Sequence, residues 1–79
     1  MHKKLPSLKP KKLISVLIKY GCEYYREGKG DHTLYFRNSH GLKRVVPIDM
    51  GKSELSPIYV LRILRQFGFK DSEIDVMDF

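Results

Sequence analysis

Apolar residues recur along this chain first with a helical period, then in short strand-like runs, then with a helical period again. Leu13, Val16, Leu17 and Tyr20 stand at i, i+3, i+4 and i+7, and Ile14 and Ile18 widen the stripe. Pro10 suits a first helical turn, where its missing N–H costs nothing, and Gly21 stands where a helix ends on a left-handed residue. The pattern predicts a helix over 10–20. A second stripe, Val60, Ile63, Leu64 and Phe67 with Leu61 beside it, follows Ser56 as N-cap and Pro57 in the first turn. Tyr59, Arg62, Arg65 and Gln66 fall on its outer side, and Gly68 closes it.

Between the helices lie three runs separated by turn residues: "CEYYRE", "HTLYFR" and "LKRVVPI", joined by "GKG" and "NSHG". Connections this short predict an antiparallel meander of three strands. Pro47 lacks a ladder donor, which places it at an edge or at the strand's end. Alternation, taken with the most apolar residues inward, turns Leu34 and Phe36 to the helices. It leaves Thr33, Tyr35 and Arg37 on the open face, and puts His32 on the core parity at the rim of the sheet. Tyr24, Tyr25, Tyr35 and Phe36 read as sheet and core residues rather than base-stacking surfaces. Residues 49–55, "DMGKSEL", form a loop, and Asp71 or Ser72 caps one more helical turn in the tail. The order is α-β-β-β-α: an α+β sandwich, three antiparallel strands with two helices on one face, in a single domain over 1–79.

Charge changes this picture. Four of the nine acids, Asp71, Glu73, Asp75 and Asp78, fall in residues 71–79, so residues 1–70 carry a net charge of +10 against +6 for the whole chain. A basic field of that density favours a polyanion, because Lys and Arg displace counterions from phosphates. The basic lead-in 1–9 is expected to be loose up to Ser7, with His2 in it. Its run Lys3, Lys4, Lys9, Lys11 and Lys12 is either a solvated arm or a phosphate grip. The acidic tail 71–79 either folds back on the basic face or docks through Ile74, Val76, Met77 and Phe79; docking is the preferred reading. One cysteine, Cys22, forms no internal disulfide and makes no Cys-rich zinc site. Three scattered histidines make no metal site, and neither metal nor cofactor is expected. With no apolar run long enough for a membrane span and no secretory leader, the expected home is the cytoplasm.

The α-β-β-β-α order at this size is the layout of the double-stranded-RNA-binding domain. A closer resemblance rests on particular residues. The segment "GCEYYREGKGDHTLYFR" is similar to the opening of the HicA-type (YcfA-like) mRNA interferase toxins: a helix, a glycine, a short strand, a basic glycine turn, then Gly-Ser-His and an apolar strand. The segment "RVVPIDMGKSELSPIYVLRILRQFGF" resembles the family's second half, with a "VVP" strand, a K-E-L loop and a helix close to L-R-x-I-L-R-Q-x-G. The likeness covers about residues 10–70. It implies a double-stranded-RNA-binding-like fold, cleavage of mRNA, and a catalytic histidine at the start of the second strand, which is His32 here. It also implies a cognate HicB-type antitoxin protein that masks the active surface. The chain departs from the pattern at Asp31, where serine is usual, at Thr33, and at Pro57-Ile58, where Gly-Thr is common.

RNA carries its own nucleophile, the 2′-hydroxyl, and an imidazole is suited to take that proton or to protonate the leaving oxygen. Lys29 in the turn is the first phosphate-binding candidate, with Arg37 and Arg44 if strand parity aims them outward, and Lys11 and Lys12 from the first helix. Asp31 either orients the imidazole or serves structure, and structure is the preferred role. His40 in its turn reads as a solvated hairpin residue. Two other classes stay open: an RNA-binding module without catalysis, and a domain whose basic face meets an acidic protein.

Overall fold

The computed structural model describes residues 4–79, and its elements follow the predicted order: α1 (Pro10–Lys19), β1 (Glu23–Glu27), β2 (His32–Ser39), β3 (Leu42–Asp49), α2 (Pro57–Gln66) and α3 (Asp71–Asp75). His2 and Lys3 lie outside the described residues. α1 has Pro10 in its first turn and buries Leu13, Ile14, Val16 and Leu17. α2 is capped by Ser56, whose hydroxyl accepts from the Tyr59 N–H at 3.2 Å, and buries Val60, Ile63 and Leu64. Gly21 and Gly68 follow these helices at φ +96° and +84°, the conformation in which a side chain would be strained. α3 begins at Asp71, yet neither Asp71 nor Ser72 caps it. The N-cap is Lys70, whose backbone N–H donates to the Glu73 carboxylate at 2.8 Å.

The sheet is antiparallel in the order β1-β2-β3, so Pro47 lies on an edge strand. His40 and Gly41 both adopt positive φ, 52° and 77°, as a two-residue hairpin requires. From that turn the β2–β3 register runs without interruption, from Ser39 opposite Leu42 to His32 opposite Asp49. β1 pairs with β2 through a bulge between Tyr24 and Arg26.

That register corrects the expected faces. Tyr35 pairs with Val46 and Thr33 with Ile48, and Tyr35, Val46 and Ile48 are buried beneath the helices. The odd positions of β2 therefore face the helices. Leu34 and Phe36, opposite Pro47 and Val45, lie on the open face, as does His32. The core gathers Leu13, Leu17, Tyr35, Val46, Ile48, Val60, Ile63, Leu64 and Phe67 from both layers. Each such aliphatic side chain contributes about 1.5–3 kcal/mol of transfer free energy when fully buried.

The segments flanking the outer helices also join this core. Leu5 and Leu8 are buried and Leu8 exchanges backbone hydrogen bonds with Leu55, so the lead-in is fixed from Leu5 onward rather than loose to Ser7. The tail docks: Ile74 and Met77 are fully buried, and the Asp78 N–H donates to the Tyr20 hydroxyl at 3.1 Å. Helix, antiparallel meander and helices in this layering are those of the double-stranded-RNA-binding domain.

Candidate functional site

His32 opens β2 directly after the Gly28–Asp31 turn. The His32 N–H donates to the Lys29 carbonyl at 3.1 Å, and its own carbonyl accepts from the Gly28 N–H at 2.8 Å. Glycine at 28 is a matter of space: a Cβ there would meet Leu34 Cδ1 at 2.5 Å and lie 3.5 Å from His32 Cβ. The turn thus rests against the same strand face that carries His32. The imidazole is exposed, and no hydrogen bond among the described residues engages it. Asp31 points elsewhere. Its carboxylate lies against Gly51, leaving no room for a Cβ there, and its carbonyl accepts from the Met50 N–H at 2.8 Å. Of its two possible roles these contacts support the structural one, tying the turn to the loop after β3.

The cations divide into two groups. Lys29 is exposed in the turn, three residues before His32. Lys11 joins Lys9 and Lys52 around a groove of about 330 Å³, completed by Pro10, Met50 and Ser53. The loop that holds Met50 and Lys52 is the one tied to Asp31, so the groove adjoins the His32 end of the sheet. Lys52 was not singled out from the sequence, although a lysine after a loop glycine was visible there. Lys12 is exposed on α1 but does not line the groove.

Arg37 and Arg44 do not meet the parity condition set for them. They pair across β2 and β3 on the helix side. Arg37 donates to the Phe67 carbonyl at 2.9 Å and to Glu73 at 3.3 Å, and its guanidinium stacks 3.9 Å from the centre of the Phe69 ring. Arg44 is half-buried, with its Nε against Gly68 and without a hydrogen-bond partner among the described residues. Both are committed to the inner layer.

The open face carries what the sequence assigned to the core. Phe36 packs edge-on against Tyr25, ring centres 5.8 Å apart, and Tyr25 is 42% exposed. Lys43 Nζ sits 4.4 Å from the Tyr25 ring centre and 4.6 Å from that of Phe36, with the Arg26 guanidinium 6.0 Å from Tyr25. The groups with displaced pKa values lie away from this face. Burial pushes the Cys22 thiol up to about 11, and burial, then the charge of Glu27, raises the Tyr35 hydroxyl. Among the described residues no three His, Cys, Asp or Glu side chains converge as a metal site would need, and no helix is long and apolar enough to cross a membrane.

Neither a curated protein nor a solved structure matches the chain. A family model does: the one described as the HicA toxin of bacterial toxin–antitoxin systems matches residues 10–69. The matched span starts at the first residue of α1 and ends at Phe69, taking in the glycine turn, His32, the whole sheet and α2. It covers well over half of the 79 residues. The chain therefore belongs to the HicA toxin family of bacterial toxin–antitoxin systems, and membership implies a cognate antitoxin as partner.

Proposed function

We propose that this chain is an endoribonuclease that cuts mRNA without a metal, with His32 as its general acid or base, and that a HicB-type antitoxin restrains it by covering that surface. The observation that carries the reading is the placement of His32: an exposed imidazole with no hydrogen bond to it among the described residues, at the sheet end that adjoins the Lys9–Lys11–Lys52 groove and the Lys29 turn.

The reaction needs little from the protein. The 2′-oxygen of one nucleotide attacks the adjacent phosphorus, the bond from phosphorus to the 5′-oxygen breaks, and a 2′,3′-cyclic phosphate and a 5′-hydroxyl result. One proton leaves the 2′-hydroxyl and one arrives at the 5′-oxygen. His32 takes or supplies one of these at its free ring nitrogen, and water handles the other. Charge building on the non-bridging oxygens is offset by Lys29 and by the lysines of the groove, acting as fixed positive charges beside the reacting phosphate. Asp31, held against Gly51, keeps the turn in place and stays off the imidazole.

The test compares the parent with His32→Ala on a long single-stranded RNA in EDTA. The reading expects cleavage by the parent alone, with cyclic-phosphate ends. Binding by both without cleavage by either makes the chain an RNA-binding module instead, and cleavage that persists in His32→Ala removes His32 from the chemistry.

A further inference from the structure

The outer face of the sheet holds a second arrangement that His32 does not explain. Two aromatic rings, Tyr25 and Phe36, stand on the face of the sheet turned away from the helices, beside Leu34, Pro47 and the 39%-exposed Val45. With Tyr25 and Val45 exposed and Phe36 and Leu34 partly so, these side chains form a contiguous apolar patch, the kind of surface that marks an interaction site. Their setting narrows what docks. Lys43 stands over both rings at once, and Arg26 lies near Tyr25. A flat π-face beside a cation suits a molecule that is planar and apolar at one end and anionic at the other.

We propose that this face is a stacking platform for single-stranded RNA, on which unpaired bases lie against Tyr25 and Phe36 while Lys43 and Arg26 take the adjoining phosphates. The proposal rests on the endoribonuclease reading and names its substrate as unpaired strand. Two further observations and one general point support it. His32 shares the open face of β2 with Phe36, four residues away, so platform and imidazole lie on one line about 13 Å long. A short run of extended nucleotides covers that span, which delivers a phosphate to His32 once the bases are seated. Paired bases in a duplex offer no free face for such rings, whereas every unpaired base does. The charge of the chain, +6 overall, draws a polyanion toward it. Two carboxylates share the face and oppose the phosphates: Glu23, opposite Phe36, and Asp49, opposite His32, whose Oδ1 already accepts from the Gly51 N–H at 2.9 Å. Glu23 is therefore a built-in brake on binding at this site.

The experiment measures binding separately from cutting. A fluorescein-labelled 2′-O-methyl oligoribonucleotide, whose blocked 2′-oxygen prevents the attack, is titrated with the parent, Tyr25→Leu, Lys43→Gln and Glu23→Gln. Tyr25→Leu keeps an apolar side chain at an exposed position and removes only the π-face, so the protein keeps its fold. It is expected to bind about 10-fold more weakly, the scale of one lost base–aromatic stack. Lys43→Gln lowers the slope of log affinity against log salt by about 0.7, Glu23→Gln tightens binding at low salt, and a fully paired hairpin of equal length competes poorly. If Tyr25→Leu and Lys43→Gln both bind within two-fold of the parent, the platform is refuted, even where the parent cuts RNA and His32→Ala does not. Tyr25→Leu that releases the antitoxin but holds RNA as before assigns the face to a protein and refutes the platform equally. A parent that neither binds this strand nor cuts RNA overturns the platform and the endoribonuclease reading together.

Discussion

Arg37 is the residue whose role the structure changes most, and replacing it with alanine separates two pictures of the sheet. If β2 turned its odd positions outward, Arg37 would hold RNA, and its loss would weaken binding while leaving stability within about 0.5 kcal/mol. The structure puts it between layers, its side chain only 16% exposed. Arg37→Ala would remove a charged hydrogen bond to the Phe67 carbonyl, of order 1.5–3 kcal/mol. It would also remove a guanidinium–ring contact with Phe69, about 0.5–2 kcal/mol, and the half-exposed pair with Glu73. These contacts share one side chain and do not add in full, so we expect a loss of about 3 kcal/mol. For a domain of this size that lowers the melting temperature by about 12–24 °C. Arg37→Lys should recover little of it, because one ammonium cannot reach the carbonyl and the carboxylate as the guanidinium fork does. Thermal unfolding followed by circular dichroism reads the effect, with Arg26→Ala as an exposed control. A fall of less than about 5 °C for Arg37→Ala, accompanied by weaker RNA binding, would refute the face assignment.

Two further outcomes follow from contacts already described. The Cys22 thiol, raised from 9.0 to about 11 by burial, favours its neutral form in the folded state. Its contribution to stability is therefore complete below pH 9 and lost as the pH rises through 11, and native protein at pH 8 should resist iodoacetamide while urea-unfolded protein reacts, as mass spectrometry would show. Gly51→Ala drives a Cβ into Asp31, whose Cγ would lie 2.7 Å and Cβ 2.8 Å away, and should cost about 1–3 kcal/mol in urea unfolding. Adding Asp31→Gly should restore most of that loss, and failure of the rescue would place the strain elsewhere.

The helices and turns were legible because their signals are local. Pro10 and Gly21, then Ser56, Pro57 and Gly68, bracket stripes with the helical period, and the observed helices begin at those prolines and end two residues before those glycines. The family likeness was legible for the same reason, since the glycine turn, His32 and the "VVP" strand are short contiguous runs. The sheet faces were not. "TLYF" is apolar at three successive positions, and ranking Leu34 and Phe36 above Tyr35 ignores what lies across the layer. The partners that draw Arg37 inward, the Phe67 carbonyl, Phe69 and Glu73, are 30 or more residues away. One signal was available: a two-residue turn at His40-Gly41 fixes Tyr35 against Val46 and Thr33 against Ile48. Leu5 escaped notice because a buried residue in an irregular segment has no period. The bulge at Tyr24–Arg26, which brings Tyr25 against Phe36 on the open face, leaves no mark in composition either.

The uninterrupted β2–β3 register has a consequence for how such a protein changes over generations. Tyr35, Val46 and Ile48 answer to the core, and substitutions there are filtered by folding before any activity is tried. Leu34, Phe36, Asn38 and Lys43 lie on the other side of the sheet, the first two next to core positions in the chain. Outside the core, they are constrained less by folding, Leu34 the most of the four because the Gly28 turn packs on it. A library randomised at those four positions alone should yield mostly folded proteins, and a lineage under pressure to escape one partner or acquire another has there a surface to revise one residue at a time.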